Sequence, residues 1–282
     1  MSASPTNAEA TSRGLAAVRH FVLDLDGTLY SGDRLFAATL PFLAQLRAAG
    51  IGYMFLTNNT SRSKADYVAK LAKLGIAATA DEIYTPADSA IAYLREKLPR
   101  VNSLAVLGTP SLCQQFEEAG FRVTWEAPEA VVVGFDTTLT YDRLCRTAYW
   151  IKQGLPFIAT HPDLVCPTDE PTVLVDCGSI TACLIAATGK QPLVLGKPDP
   201  SILLQLAARL KLSPDQLAMV GDRIYTDVAM AQKAGALAVL VLSGEATAAD
   251  AAQMTEPANL VVAHIGELGH MIEQARALSP LN

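Results

Sequence analysis

Two aspartates stand two positions apart, Asp24 and Asp26, at the end of an apolar run in FVLDLDGTLY (residues 21–30), and Gly27 stops the run. A buried strand does not choose two carboxylates, because each unpaired charge is costly to desolvate. An Asp-Gly turn needs only Asp26 and leaves Asp24 unexplained. In an extended segment, residues i and i+2 point the same way. That spacing suits Asp24 as a nucleophile on phosphorus, giving an aspartyl-phosphate. Asp26 would then be the acid/base that protonates the leaving oxygen and later activates water. Gly27 lets the chain turn sharply and brings backbone N–H groups close to an anion.

Two carboxylates facing a phosphate repel it, so this chemistry requires a cation, and hard oxygen ligands beside a phosphate suit Mg²⁺. Asp222 in MVGDRIYTD is a third oxygen source. Asp227, five residues on, either ligates the metal or holds a metal-bound water or Lys197. Lys197, in LGKPDP, supplies a point cation for the transferring group. In LTNNTSR the Thr57 hydroxyl and the Asn58 backbone N–H, with Asn59 beside them, supply fixed dipoles at a strand-to-helix turn. Taken singly, each piece has an ordinary explanation: a surface lysine, an N-capping turn, a Gly-Asp strand end. Arg62 and Arg223 read as structural ion-pair partners. The joint occurrence, in order and at strand ends, is what points to chemistry.

The elements that position these groups are short apolar runs alternating with helical patterns. HFVLDL, GYMFLTN, PLVLG, LAMVGD, ALAVLVL and NLVVA do not alternate, as expected of strands buried on both faces. DPSILLQLAARLKL is a helix opened by Asp199-Pro200-Ser201. Repeated βα units predict an α/β fold with a Rossmann-like parallel-sheet core and helices on both faces. In such sheets ligands bind beyond the C-terminal strand ends, where Asp24 and Asp26, Thr57-Asn58-Asn59, Lys197 and Asp222 all fall.

Between FLTNN and VLGKP lie further strands (SLAVLG, AVVVGFD, PFIAT) and helices starting near Pro86, Ser111, Tyr141 and Ser179. The expected organisation is a flexible leader over 1–18, a core over 19–82 and 191–282, and an α/β domain inserted over 83–190. GFDTTLTYD (134–142) echoes the first motif but has Gly134 in place of Asp24, so it offers no nucleophile and reads as a strand end of the insert.

Bulk properties narrow the function. The 282 residues suit about two domains. Half are hydrophobic, enough for a sizeable core. A net charge of -6 and no Lys/Arg run disfavour nucleic acid and anionic membranes as partners. No apolar segment approaches the roughly 18 residues a bilayer span needs. Five cysteines without a C-x-x-C, and an N-terminus lacking a basic and apolar signal pattern, suit reduced thiols in the cytoplasm.

DLDGTLY, LTNNTSR, GKPDPSI and GDRIYTD together resemble the four signature motifs of the haloacid dehalogenase superfamily, across nearly all of 19–275. The insert between the second and third motifs resembles its C2-capped, type IIA branch of nucleotide, sugar and 4-nitrophenyl phosphatases. The resemblance implies Mg²⁺-dependent hydrolysis of phosphomonoesters of small metabolites. It implies Asp24 as nucleophile and metal ligand, Asp26 as acid/base and ligand through its carbonyl, Thr57 and Lys197 on the phosphoryl group, and Asp222 on the metal. True dehalogenases of the superfamily lack the second aspartate, so Asp26 argues against that chemistry. ATHPDLVCPTDEPTVLVDCGSI (159–180) resembles the cap loop that faces the core, with His161 where relatives often carry Asn. His161, Asp163 and Asp136 are therefore expected substrate contacts, although a lone loop histidine is normally solvated. Caps of this branch also often lend a face to homodimers. Phosphotransfer or mutase chemistry through the same aspartyl-phosphate, and a catalytically silent regulatory relative, are the alternatives.

Overall fold

A computed structural model of the protein describes residues 14–166, 168 and 171–278. The described residues form two compact units, one within 14–56, 72–78 and 198–278, the other within 57–71 and 79–197.

In the first unit, five parallel strands lie side by side in the order Leu260–Val262, Leu237–Val241, Leu217–Gly221, His20–Asp24, Gly52–Leu56. Nearly every residue of the inner strands is buried, Phe21 to Asp24 and Leu217 to Gly221 without a break, so both faces of the sheet are covered. That explains apolar runs without alternation. Helix Thr39–Ala48 packs with helix Ile265–Leu278, and helix Ser201–Leu210 with helix Ala229–Ala234. The Asp199 carboxylate accepts the Ser201 N–H at 2.9 Å, as the Asp-Pro-Ser start predicts. From the central strand His20–Asp24 the chain next pairs on one side with Gly52–Leu56 and only much later on the other with Leu217–Gly221. This reversal of direction is where open α/β sheets bind ligands, and Asp24 and Asp222 flank it.

The second unit has its own parallel sheet, ordered Leu193–Val194, Phe157–Ala159, Ala130–Val133, Ser103–Leu107, Arg122–Val123. Alternate residues of the inner strands feed two cores. Leu104, Val106 and Val132 pack with Leu94, Leu112 and Phe116, while Leu107, Val131 and Val133 pack with Ile151, Ile180 and Leu184. Helices Pro86–Lys97, Pro110–Glu118, Tyr141–Lys152 and Cys177–Thr188 stand where the sequence places them, the middle two capped by the Thr109 and Thr140 hydroxyls.

Two expectations are corrected. PLVLG was expected to belong to the core, yet Leu193–Val194 pairs in parallel with Phe157–Ala159 of the second unit. Two β-formers at a sheet edge, both exposed, carry no sequence signal for which sheet they join. The flexible leader was expected through residue 18, but residues 14–17 are helical and Leu15 and Val18 are buried. Their apolar spacing of three is a single helical turn, too short to register in the sequence. Residues 1–13 of the expected leader lie outside the described residues.

Candidate active site

The strand His20–Asp24 ends on Asp24, and the neighbouring strand Leu217–Gly221 delivers Asp222 one residue past its end. Asp227 lies on the short turn of helix Ile224–Val228 that follows. Carboxylate oxygens of Asp24, Asp222 and Asp227 lie within 4.8 Å of one another, and all three residues are buried. Gly27 makes the approach feasible: its φ is +86°, and a Cβ on it would collide with the Asp222 carboxylate. The turn is closed by hydrogen bonds from Gly27 N–H to the Tyr30 carbonyl (2.7 Å) and from Leu29 N–H to the Leu25 carbonyl (2.9 Å).

Each acid has internal support. Asp24 Oδ2 accepts the Thr28 hydroxyl at 3.3 Å, Asp227 Oδ2 accepts the Arg223 N–H at 3.1 Å, and Asp222 Oδ2 accepts the Glu245 N–H at 2.7 Å. Support does not balance repulsion at Asp222. Burial first, then the charges of Asp24 and Asp227, push its pKa up to about 7 against the Glu245 N–H and Arg223. Three buried carboxylates thus crowd one place, and the cost of that crowding falls on Asp222. Their chemistry, all hard oxygen donors, fits a divalent cation such as Mg²⁺.

Asp26 sits differently. It is exposed, its carboxylate accepts the Gly32 N–H at 3.4 Å, and it is not part of the acidic trio. Arg223 is an ion-pair partner as expected, with Nε 2.9 Å from Glu245 Oε2. Sequence reasoning missed the segment Ser243-Gly244-Glu245. Ser243 donates its hydroxyl to the Gly27 carbonyl at 2.7 Å, and Glu245 supplies the N–H on Asp222. Its signal was its place just after the strand Leu237–Val241, another C-terminal end of the same sheet.

The remaining candidates belong to the second unit. Thr57 Oγ1 accepts the Asn59 N–H at 3.1 Å, and the Asn59 carboxamide oxygen accepts the Ser61 N–H and hydroxyl at 2.9 and 2.7 Å. The Asn58 side chain meets both Lys197 and Asp163: Lys197 N–H donates to Oδ1 at 2.9 Å, and Nδ2 donates to the Lys197 carbonyl at 3.1 Å and to Asp163 Oδ1 at 3.0 Å. Asn58, Asp163 and Lys197 are all buried. His161, an expected substrate contact on a loop, is fully buried. Its Nδ1 lies 3.8 Å from Asp163 Oδ2 and its Nε2 3.5 Å from Asp176 Oδ1. Asp136, a further expected substrate contact, is committed inside the unit. It pairs with Arg143 at 2.9 Å and accepts the Thr138 N–H and hydroxyl at 2.9 and 2.7 Å. The Arg143 that neutralises it lies on the next helix, seven positions on, where no motif marks it.

The Rossmann-like α/β sheet thus carries, at the switch point where such sheets bind ligands, an all-oxygen acidic trio suited to a divalent cation. Comparison with known proteins identifies the family. The family models described as haloacid dehalogenase-like hydrolase and HAD-hydrolase-like match residues 21–122 and 194–268. The chain is 33% identical over 224 residues to the 5'-nucleotidase YutF of Bacillus subtilis, covering 79% of this chain and 87% of that one. It is 31% identical over 238 residues to an acid sugar phosphatase of Staphylococcus aureus, covering 84% and 91%. Among solved structures it resembles a 4-nitrophenylphosphatase from Thermotoga maritima, with TM-score 0.87, 37% identity, and 91% and 98% of the two chains covered. It also resembles a glycerol phosphate phosphatase from Mycobacterium tuberculosis in complex with magnesium, with TM-score 0.80, 32% identity, and 89% and 76% covered. The chain belongs to the haloacid dehalogenase-like hydrolases, and it is a phosphoric monoester hydrolase.

Proposed function

We propose that the protein is a Mg²⁺-dependent phosphatase of small metabolites, such as nucleotides or sugar phosphates, that works through an aspartyl-phosphate on Asp24. The observation that carries this reading is the buried trio Asp24, Asp222 and Asp227 at adjacent strand ends. A side-chain oxygen of Asp24 attacks phosphorus, the bond to the ester oxygen breaks, and Asp26 gives that oxygen its proton. Water then attacks the same phosphorus, passes a proton to Asp26, and the bond to Asp24 breaks to release phosphate. Exposure of Asp26 suits a group that must exchange protons with substrate and water.

Mg²⁺ would be held by the Asp24 and Asp222 carboxylates and the Asp26 carbonyl, with Asp227 as ligand or as support for a bound water. When bound it neutralises charge on the phosphoryl group and lets an anionic nucleophile approach. Thr57, the Asn58 N–H, Asn59 and Lys197 are assigned to the phosphoryl oxygens. Thr57 directly follows the strand Gly52–Leu56, whose Leu56 is the register partner of Asp24. The insert over 83–190 is read as the cap that selects substrates and as the face of a homodimer; Thr57–Asn59 and Lys197, expected in the core, cluster instead with the compact unit that contains this insert. Among the described residues no helix is long and apolar enough to cross a membrane, and the cytoplasmic assignment rests on five cysteines without a C-x-x-C.

The test is phosphate release from 4-nitrophenyl phosphate with and without Mg²⁺, for wild type and Asp24→Asn. Mg²⁺-dependent release that disappears in Asp24→Asn is the expected result. Release that survives the substitution would contradict the assignment.

A further inference from the structure

We infer that His161 and Asp163 act on Lys197 through Asn58, which makes these three positioning residues for the phosphoryl-binding lysine. The inference rests on the assignment of Lys197 just given and replaces direct substrate contact by His161 and Asp163.

The geometry starts at the Asn58 carboxamide. Its oxygen and nitrogen grip the two ends of one residue's backbone, the N–H and the C=O of Lys197. Its other amino hydrogen points at Asp163 Oδ1. A carboxylate only accepts and a backbone N–H only donates. Asp163 therefore fixes which end of the amide is nitrogen, and the oxygen is left facing the Lys197 N–H. Only one orientation satisfies both partners.

The grip sits where regular structure has ended. The ladder from the strand Leu193–Val194 extends to the Leu195 N–H on the Ala159 carbonyl (2.9 Å). Gly196 then turns the chain with φ +71°, and a Cβ there would stand 2.9 Å from Asn58 Oδ1 and 2.7 Å from the Thr160 carbonyl. A glycine at 196 is thus required for Asn58 to reach Lys197. Holding both backbone ends fixes the direction in which the Lys197 side chain leaves the chain.

Asp163 is anchored in turn. His161 is wedged between Asp163 and Asp176, its Nδ1 3.8 Å from Asp163 Oδ2 and its Nε2 3.5 Å from Asp176 Oδ1. Asp176 is tied to the N-terminus of helix Cys177–Thr188, where it accepts the Cys177 N–H at 2.5 Å. The helix dipole favours a carboxylate at that end. The line Asp176–His161–Asp163–Asn58–Lys197 thus links a rigid helix to the lysine, and every member is buried. Displacement of a catalytic cation by about 1 Å is enough to cost roughly 100-fold in rate.

The experiment is a double-mutant cycle on the full chain, read as kcat for 4-nitrophenyl phosphate with saturating Mg²⁺, with thermal melts of every variant. Asn58→Ala should lower kcat roughly 10- to 100-fold in the wild-type background. In a Lys197→Ala background the same substitution should cost less than about twofold, because the group it positions is already gone. Asp163→Asn, which keeps the shape and frees the Asn58 amide to flip, should lower kcat about tenfold with an unchanged Mg²⁺ requirement. A loss of packing alone would lower activity equally in both backgrounds. Equal losses in both, or kcat within about twofold of wild type for both Asn58→Ala and Asp163→Asn, would overturn the inference while leaving the phosphatase assignment standing. Absence of Mg²⁺-dependent release by wild type, or full activity of Lys197→Ala, would overturn both.

Discussion

Asp24, Asp222 and Asp227 in one unit and His161, Asp163 and Asp176 in the other are both buried trios whose ligand atoms lie within 4.8 Å of one another, yet only the second contains a base. The first is all carboxylate, and its cost shows in Asp222, pushed up to about 7 by burial and by its two neighbours. The second places an imidazole between two carboxylates and adds an amide donor from Asn58 and an N–H from Cys177. The first cluster offers only hard oxygen donors, which suit a divalent cation, whereas the second mixes a nitrogen donor with two carboxylates held by their own hydrogen bonds. Burial and acidity alone therefore do not mark a metal site; the donor set separates the two clusters.

The comparison breaks first at the nucleophile. With Asp24 as the proposed nucleophile, Asp24→Asn should cost at least about 10³-fold in kcat for 4-nitrophenyl phosphate, because an amide cannot form the covalent intermediate. The next effect belongs to the other cluster. His161→Ala removes the imidazole packed between Asp163 and Asp176, and urea unfolding should report a loss of about 2–3 kcal/mol. An unchanged midpoint would show that the second cluster is not held by the imidazole.

A third outcome concerns the cation. Millimolar Mg²⁺ should stabilise wild type by about 1–3 kcal/mol in thermal melts and leave Asp222→Asn nearly unmoved. The smallest effect is a matter of pH. The folded-state pKa of Asp222, about 7, lies above its ordinary carboxylate value of 3.8, so protons favour the folded, metal-free protein. That contribution is fully present below about pH 4 and is lost as pH rises through about 7. In chelator, Asp222→Asn should therefore become more stable than wild type as pH rises from about 5 to about 8, by about 1 kcal/mol at the top of that range. A stability difference that does not change with pH would remove the electrostatic account of the trio.

Much of this was legible in the sequence, for identifiable reasons. Phe21–Leu23, Tyr53–Leu56 and Met219–Val220 are buried on both faces, and such strands cannot hide in a polar pattern. Gly27 announced a turn, and its left-handed φ and crowding by Asp222 are the reasons a glycine stands there. Asp24 and Asp222 stood out because charges at the ends of apolar runs have no cheap explanation, and Asp227 by its place five residues further on; the three carboxylates do come together. What escaped was decided by tertiary partners. Leu193–Val194 joins the second unit's sheet through pairing with Phe157–Ala159. Leu15 and Val18 are core residues on a stretch too short to show a period. Ser243 and Glu245 act on the site through one hydroxyl and one N–H, and neither has a motif. His161 looked like a loop histidine because the two carboxylates that bury it are Asp163, two residues on, and Asp176, a helix cap fifteen residues away.

The central claim is that Asp24 takes the phosphoryl group, and rapid acid quench of the enzyme during turnover of 4-nitrophenyl phosphate with Mg²⁺ tests it directly. Peptide mass spectrometry of the quenched protein should locate one acid-stable, base-labile phosphoryl group on Asp24, absent in Asp24→Asn. A phosphoryl group on another residue, or Mg²⁺-dependent turnover by Asp24→Asn, would contradict the account.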